Sequence, residues 1–169
     1  FAPVAVIDLP PGKRLCVVAP HPDDEAIGCG GLLALWTGAG REAGVVFLSN
    51  GEMGSAEIRS TTNAADKAQM KRSLSATRRA EAETSLKVLG AVGHWLDGPD
   101  GTLFQQEARL AKDLAAEWMR SPPDVIAAPF PTDRHPDHAV AARIVGAAAA
   151  TALPADTVVL GYEVWTPAP

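Results

Sequence analysis

Leu15-Cys16-Val17-Val18-Ala19-Pro20, running straight into His21-Pro22-Asp23-Asp24-Glu25, is the stretch on which the fold turns. Its first six residues are an apolar run with β-branched members, closed by a proline, and read as a strand buried on both faces. Helix-forming residues with apolar spacing then extend from Ala26 to Thr37 and stop at Gly38 and Gly40. A dense polar cluster therefore occupies a strand-to-helix turn.

The same unit recurs downstream. Gly44-Val45-Val46-Phe47-Leu48-Ser49 is a second buried strand, ending in the polar turn Asn50-Gly51-Glu52. From Gly54 to about Met70 the chain is rich in Ser, Thr, Asn and Ala without a clear period, which predicts a mobile loop long enough to act as a lid. Lys71 to Leu89 predicts a long helix with Leu74, Ala82, Leu86 and Leu89 among its apolar positions and Gly90 as its stop. A short strand around His94-Trp95-Leu96 leads to the turn Asp97-Gly98-Pro99-Asp100-Gly101, and a helix from Leu103 to Met119 ends at Ser121-Pro122-Pro123. Asp124 to Pro129 is a further buried strand, Pro136 to Ala152 an Ala-rich helix, and Val158 to Trp165 the last strand. Strands that are continuous apolar runs and alternate with helices belong to a parallel sheet covered on both faces. The expectation is an α/β, three-layer, Rossmann-like fold with a mainly parallel sheet, in a single domain over residues 1–169. Ligands of such sheets bind at the carboxyl ends of the strands, so the turns after the first four strands face one crevice. The chain stops while still strand-like, from Tyr162 to Pro169, so a C-terminal portion of the domain is expected to lie beyond it.

With 47% apolar and 21% charged residues the chain is an ordinary globular sequence rather than a disordered one. Its net charge of −5 leaves no electrostatic footprint for nucleic acid or an anionic membrane. Seven of the fifteen basic residues fall between Arg59 and Lys87, but Asp66, Glu81 and Glu83 are interleaved, so that run reads as a solvated helix face. Cys16 and Cys29 lack metal or disulfide spacing and read as reduced and structural. No stretch approaches the ~18 apolar residues of a membrane span, and no secretion signal is visible, which points to a cytoplasmic protein; the chain begins at Phe1, so a removed leader stays open. Oligomeric state is not readable.

Two clusters carry chemistry. His21-Pro22-Asp23-Asp24-Glu25 packs one imidazole and three carboxylates into a single turn, and adjacent carboxylates beside a helix start are best explained by a cation or reacting group that neutralises them. Imidazole nitrogen with carboxylate oxygen suits a divalent ion of hard or borderline character. Asp133-Arg134-His135-Pro136-Asp137-His138 enters a helix through Pro136 and places His135 and His138 about one turn apart, able to project together into the crevice. His94 stands alone and reads as structural, and Trp36, Trp95 and Trp118 as core or layer contacts; Trp165 ends on the crevice side and could line it.

These motifs, with Gly28 to Gly31, Asn50-Gly51-Glu52, the Arg78 and Glu81 pair, Leu89-Gly90 and Asp100-Gly101, resemble the PIG-L/LmbE-like family of zinc-dependent N-acetylglucosaminyl deacetylases, in the family's order from about Leu15 to Trp165. The resemblance implies an LmbE-like fold and a hydrolase that removes the N-acetyl group from an N-acetylglucosamine-type amino sugar on a small-molecule conjugate. It implies Zn2+ held by His21, Asp24 and His138, Asp23 as general base, and a protonated His135 that stabilises the oxyanion. Fe2+ or Co2+ suit the same donors. Arg78 matches the family's substrate-binding arginine, against a helix-surface pair with Glu81 or Glu83; Asp100 matches a sugar-hydroxyl acceptor, against a plain turn former. Glu25 either caps the helix or orders a ligand, and Asp137 orients a histidine.

Two other functions compete. One is a zinc amidase or deacylase acting on a non-sugar N-acyl substrate. The other is a nucleotide-binding Rossmann domain that cradles phosphate on Gly28-Cys29-Gly30-Gly31, although that turn lacks G-x-G-x-x-G and carries carboxylates that repel phosphate. A zinc-binding protein without catalysis fits poorly with Asp23 and His135 in place. The aglycone and acyl length of the substrate have no readable code.

Overall fold

In the computed structural model, which describes residues 8–165, five strands form one sheet in the order β3-β2-β1-β4-β5. The strands are β1 Arg14–Ala19, β2 Glu42–Ser49, β3 Val92–Gly98, β4 Val125–Pro129 and β5 Val158–Tyr162, and every pairing between them is parallel. The helices are α1 Asp24–Gly38, α2 Ala56–Ser60, α3 Ala64–Leu89, α4 Glu107–Arg120, preceded by a 3-10 turn over Leu103–Gln106, and α5 Pro136–Ala152.

Alternation along the strands builds the three layers. Leu15, Val17 and Ala19 of β1, with Val45 and Phe47 of β2, pack under Leu33 and Trp36 of α1 and Leu86 of α3. Cys16 and Val18, with Val46 and Leu48, face Leu114 and Trp118 of α4 and Ile144 of α5. Burial on both faces explains why the strands read as unbroken apolar runs. Trp36 and Trp118 are core residues, and Trp95 stacks on Phe47, with ring centroids 4.9 Å apart. His94 is exposed and lies 3.6 Å from Glu117, away from the crevice. No helix among the described residues is long and apolar enough to cross a membrane.

Three expectations are corrected. Gly54 to Met70 is mostly helical, not a loop: α2 is capped by Ser55, whose side chain accepts from Glu57 N, and α3 by Asn63, which accepts from Ala65 N and Asp66 N. The Ser and Asn residues that suggested a loop are helix caps. The last strand ends at Tyr162 rather than Trp165, because the amides of Val164 and Trp165 donate to the Asp133 carboxylate instead of to a ladder. The glycines Gly28 to Gly31 lie inside α1, so their amides serve the helix ladder and cannot cradle phosphate. Gly28 is small for packing: a Cβ there would stand 2.4 Å from the Tyr162 ring.

Candidate metal centre and cleft

The two motifs meet at the carboxyl ends of β1 and β4. β1 delivers His21 to Asp24 into the start of α1, and β4 leads through Asp133 to His135, whose Nδ1 accepts from Asp137 N and caps α5. Strands β1 and β4 are direct neighbours, so residues separated by more than a hundred positions stand side by side. A cavity of about 670 Å³ opens over them, lined among others by His21, Asp23, Arg78, Asp100, His135 and Trp165.

Asp24 Oδ2 is the hub. It lies 3.2 Å from His21 Nδ1 and 3.2 Å from His138 Nε2, and it accepts the His21 backbone N–H at 3.0 Å. His138 is fully buried, yet neither of its ring nitrogens has an aligned hydrogen bond. An orphaned buried imidazole beside a carboxylate oxygen is costly unless another group completes it. Donors about 2.0–2.1 Å from a tetrahedral zinc stand about 3.3 Å from one another, close to these separations. The residues therefore fit a divalent ion. Two further groupings share the neighbourhood, His21 with His135 and His138, and His21 with Asp100 and Asp137, each with ligand atoms within 4.8 Å. His135 Nδ1 caps α5, which leaves its Nε2 for the first grouping, and His21 Nε2 faces Asp100 and Asp137 at 3.2 Å each in the second. In the grouping around Asp24, His21 Nδ1 and His138 Nε2 both face the one oxygen Asp24 Oδ2.

The charges are finely opposed. Burial alone would lower His21, but its contacts with Asp100, Asp137 and Asp24 outweigh it and hold the imidazole well above its ordinary value. Burial likewise works against His138, and Asp24 with Asp133 reverses it. Asp24 is held far below the usual carboxylate range, because His138 and His21 outweigh the effect of burial. His135 goes the other way: burial, then repulsion from His21 and His138, pushes it down. Its Nδ1 accepts the Asp137 N–H at 3.3 Å, which leaves Nε2 as the nitrogen able to carry a proton toward the cleft.

Asp23 caps α1 with φ of 133°, a left-handed conformation unusual for a residue with a side chain. Glu25 turns back and accepts the Asp23 N–H at 2.9 Å, so it does act at the helix start. Arg78 pairs neither with Glu81 nor with Glu83 but with the Asp23 carboxylate, and its Nη1 donates to Gly51 O at 3.4 Å. A Cβ on Gly51 or Gly54 would come within 2.8 Å or 2.6 Å of that guanidinium nitrogen, so the two glycines form its slot. Burial raises Asp23, with Arg78 pulling in the opposite direction. Asp100 does more than form a turn: Oδ1 faces His21 and Oδ2 accepts from Met53 N at 2.6 Å. Asp137 accepts from Gly101 N and Leu103 N, tying the turn after β3 to His21. Trp165 does line the cleft, its ring centroid 6.3 Å from that of His135.

Asp133 carried no assigned role in the sequence, although it contacts His138, His135 N, Val164 N and Trp165 N. Its Asp-x-His spacing, in which the side chain accepts an amide two residues on, is an Asx-turn signature that could have revealed it. Nothing in the local pattern points to Ile27 or Met53 as cleft residues.

Residues 16–149 match a family model for PIG-L, GlcNAc-PI de-N-acetylase. A 1D-myo-inositol 2-acetamido-2-deoxy-alpha-D-glucopyranoside deacetylase of Nocardioides sp. is 36% identical over 90 residues, which are 53% of this chain and 29% of that protein. The solved N,N'-diacetylchitobiose deacetylase of Pyrococcus horikoshii is 31% identical with a TM-score of 0.69, over 82% of this chain and 50% of its own. The 4-carboxy-2-hydroxymuconate hydratase GalB of Pseudomonas putida has the same TM-score of 0.69 at 28% identity, over 80% of this chain and 55% of its own. The chain thus spans well under two thirds of each of these relatives. The matched residues run from β1 into α5 and take in both histidine motifs, and on that match the chain belongs to the PIG-L family.

Proposed function

We propose that this protein is a metal-dependent hydrolase that removes the acetyl group from an N-acetylglucosamine-type amino sugar, with zinc held by His21, Asp24 and His138. The observation that supports it most is the approach of Asp24 Oδ2 to His21 Nδ1 and His138 Nε2, at 3.2 Å each, beneath a cleft that Asp23 also lines. Family membership and the deacetylase relatives support an acetylated amino sugar as substrate. A divalent ion on these donors supplies Lewis acidity, polarising an amide carbonyl and acidifying water; iron(II) or cobalt would serve on the same ligands.

The chain's own residues divide the remaining work. The Asp23 carboxylate, with its proton affinity raised by burial, takes a proton from the attacking water and delivers it to the amine as the C–N bond breaks, giving acetate and a free amine. His135 donates Nε2–H to the oxygen that becomes negative. Asp100 and Asp137 fix the His21 ring, and Arg78 fixes the Asp23 carboxylate, so the roles of Arg78 and Asp100 are support of the catalytic groups before any contact with sugar.

The test is acetate release from N-acetylglucosamine derivatives by protein of known metal content. Wild type should carry about one zinc and release acetate; Asp23→Asn should keep the metal and lose about 10²–10⁴-fold in rate, and His138→Ala should lose both. Absence of divalent metal from wild type would sink the reading. Metal without acetate release from any amino sugar turns attention to non-sugar N-acyl compounds. A second reading, addition of water to a carbon–carbon double bond, is favoured by the likeness to the hydratase, and loss of ultraviolet absorbance from an unsaturated tricarboxylate would reveal it.

A further inference from the structure

The geometry points to Asp133 as a positioning residue that binds the metal ligand His138 and the cleft wall at Val164 and Trp165 into one unit. The inference rests on the proposed metal site. The Asp133 side chain is fully buried, and a carboxylate so placed is stable only where donors replace its water. Four donors do so. Oδ1 accepts His135 N at 3.0 Å, and Oδ2 accepts Val164 N at 3.0 Å and Trp165 N at 3.3 Å while facing His138 Nδ1 at 3.1 Å.

A single oxygen therefore touches the back of the ligand imidazole and the backbone of the wall. A carboxylate at Nδ1 draws the proton to that nitrogen and leaves the Nε2 lone pair free on the Asp24 side, the arrangement by which outer carboxylates orient metal-binding histidines. The same oxygen turns the chain away from β5 after Tyr162 and hands Trp165, 60% exposed and standing against His135, to the cleft. An exposed indole on the wall of a polar cleft is a surface on which the apolar face of a substrate ring can rest. Metal affinity and substrate affinity are thus coupled through one carboxylate. A merely structural role would change neither in folded protein.

The experiment uses Asp133→Asn, which keeps the shape. Either orientation of the amide turns an NH₂ toward at least one of the three backbone donors. Zinc binding is measured with zinc alone against a chromophoric chelator, KM and kcat are measured at saturating zinc, and thermal melting monitors the fold. Asp133→Asn should bind zinc about 10–100-fold more weakly and keep a raised KM after zinc saturates. Trp165→Ala should raise KM with unchanged zinc affinity, and in the double variant KM should rise no further than in the more affected single variant. Zinc affinity equal to wild type in Asp133→Asn, or a KM that returns to the wild-type value once zinc saturates, overturns the proposal. If Asp133→Asn does not fold, Val164→Pro deletes one N–H donor without touching a ligand; it should raise KM and weaken zinc binding severalfold, and unchanged zinc affinity there overturns the coupling. Wild type without zinc refutes the metal site itself, whereas wild type that binds zinc beside an unaltered Asp133→Asn refutes only the role of Asp133.

Discussion

Asp23 is asked to do two things that conflict, and its neighbours resolve the conflict. As the cap of α1 it adopts φ of 133°, a conformation that costs about 1–3 kcal/mol for a residue with a side chain. That twist turns its carboxylate toward the cleft, where Glu25 holds its amide and Arg78 its carboxylate. The guanidinium in turn depends on the absence of side chains at Gly51 and Gly54. Gly54 has no left-handed backbone to relieve, so Gly54→Ala acts chiefly on Arg78, with a lesser contact of 3.3 Å to the Gly51 carbonyl oxygen. It should lower turnover by up to about 100-fold, the cost of a displaced catalytic group, and Arg78→Ala should lower it to a similar degree. The double variant should be no worse than the single ones, because both act through one guanidinium; additive losses in steady-state rates would show that Arg78 serves Asp23 in no special way. His21, Asp23 and Asp24 were legible because they crowd one turn of the chain. The partner of Arg78 was not, since local spacing offers Glu81 and Glu83 while the real partner lies 55 residues away.

Among the elements, the inner strands β1, β2 and β4 were legible because a parallel sheet buried on both faces writes itself as apolar runs, and α5 because Pro136 marks its first position. The segment before α3 was not, because Ser, Thr and Asn signal both a loop and a helix cap, and only the fold decides between them. Its amides settle the matter: Asn63 Oδ1 accepts from Ala65 N at 2.9 Å and Asp66 N at 3.2 Å, and Ala64, Ala65 and Ala68 are strong helix formers. Asn63→Ala removes that cap and should cost about 1 kcal/mol, seen as a melting temperature lower by about 2–4 °C at this size. If the segment were the mobile loop its composition suggests, the substitution would leave the melting temperature unchanged. α3 also carries Arg78, but fifteen positions beyond the cap, so fraying at its start should leave catalysis nearly intact.

For the molecule as a whole, the site sets how stability answers to pH and to metal. In protein stripped of metal by a chelator, burial alone would lower His21 and His138, but Asp100, Asp137, Asp24 and Asp133 outweigh it and raise both. A folded value above the unfolded one contributes stability that is complete below about pH 6.5 and is lost as pH rises through the folded value. Asp24, Asp100 and Asp137 are lowered against the effect of burial, chiefly by His138 and His21 for Asp24 and by His21 for the other two. Their contribution is present above about pH 3.9 and is lost as pH falls through their folded values. Metal-free protein should therefore be most stable from about pH 4 to 6.5 and weaken toward alkali. Zinc on the proposed ligands needs His21 Nδ1 and His138 Nε2 without protons, so its binding there should tighten as pH rises. At 100 times its dissociation constant it adds about 2.7 kcal/mol, or about 5–11 °C in melting temperature. Thermal melts from about pH 5 to 9, with and without zinc, should show a gap that is small near pH 5.5 and widens steadily above pH 7. A gap of constant size would mean that zinc displaces no proton from His21 or His138, and that the ion sits elsewhere.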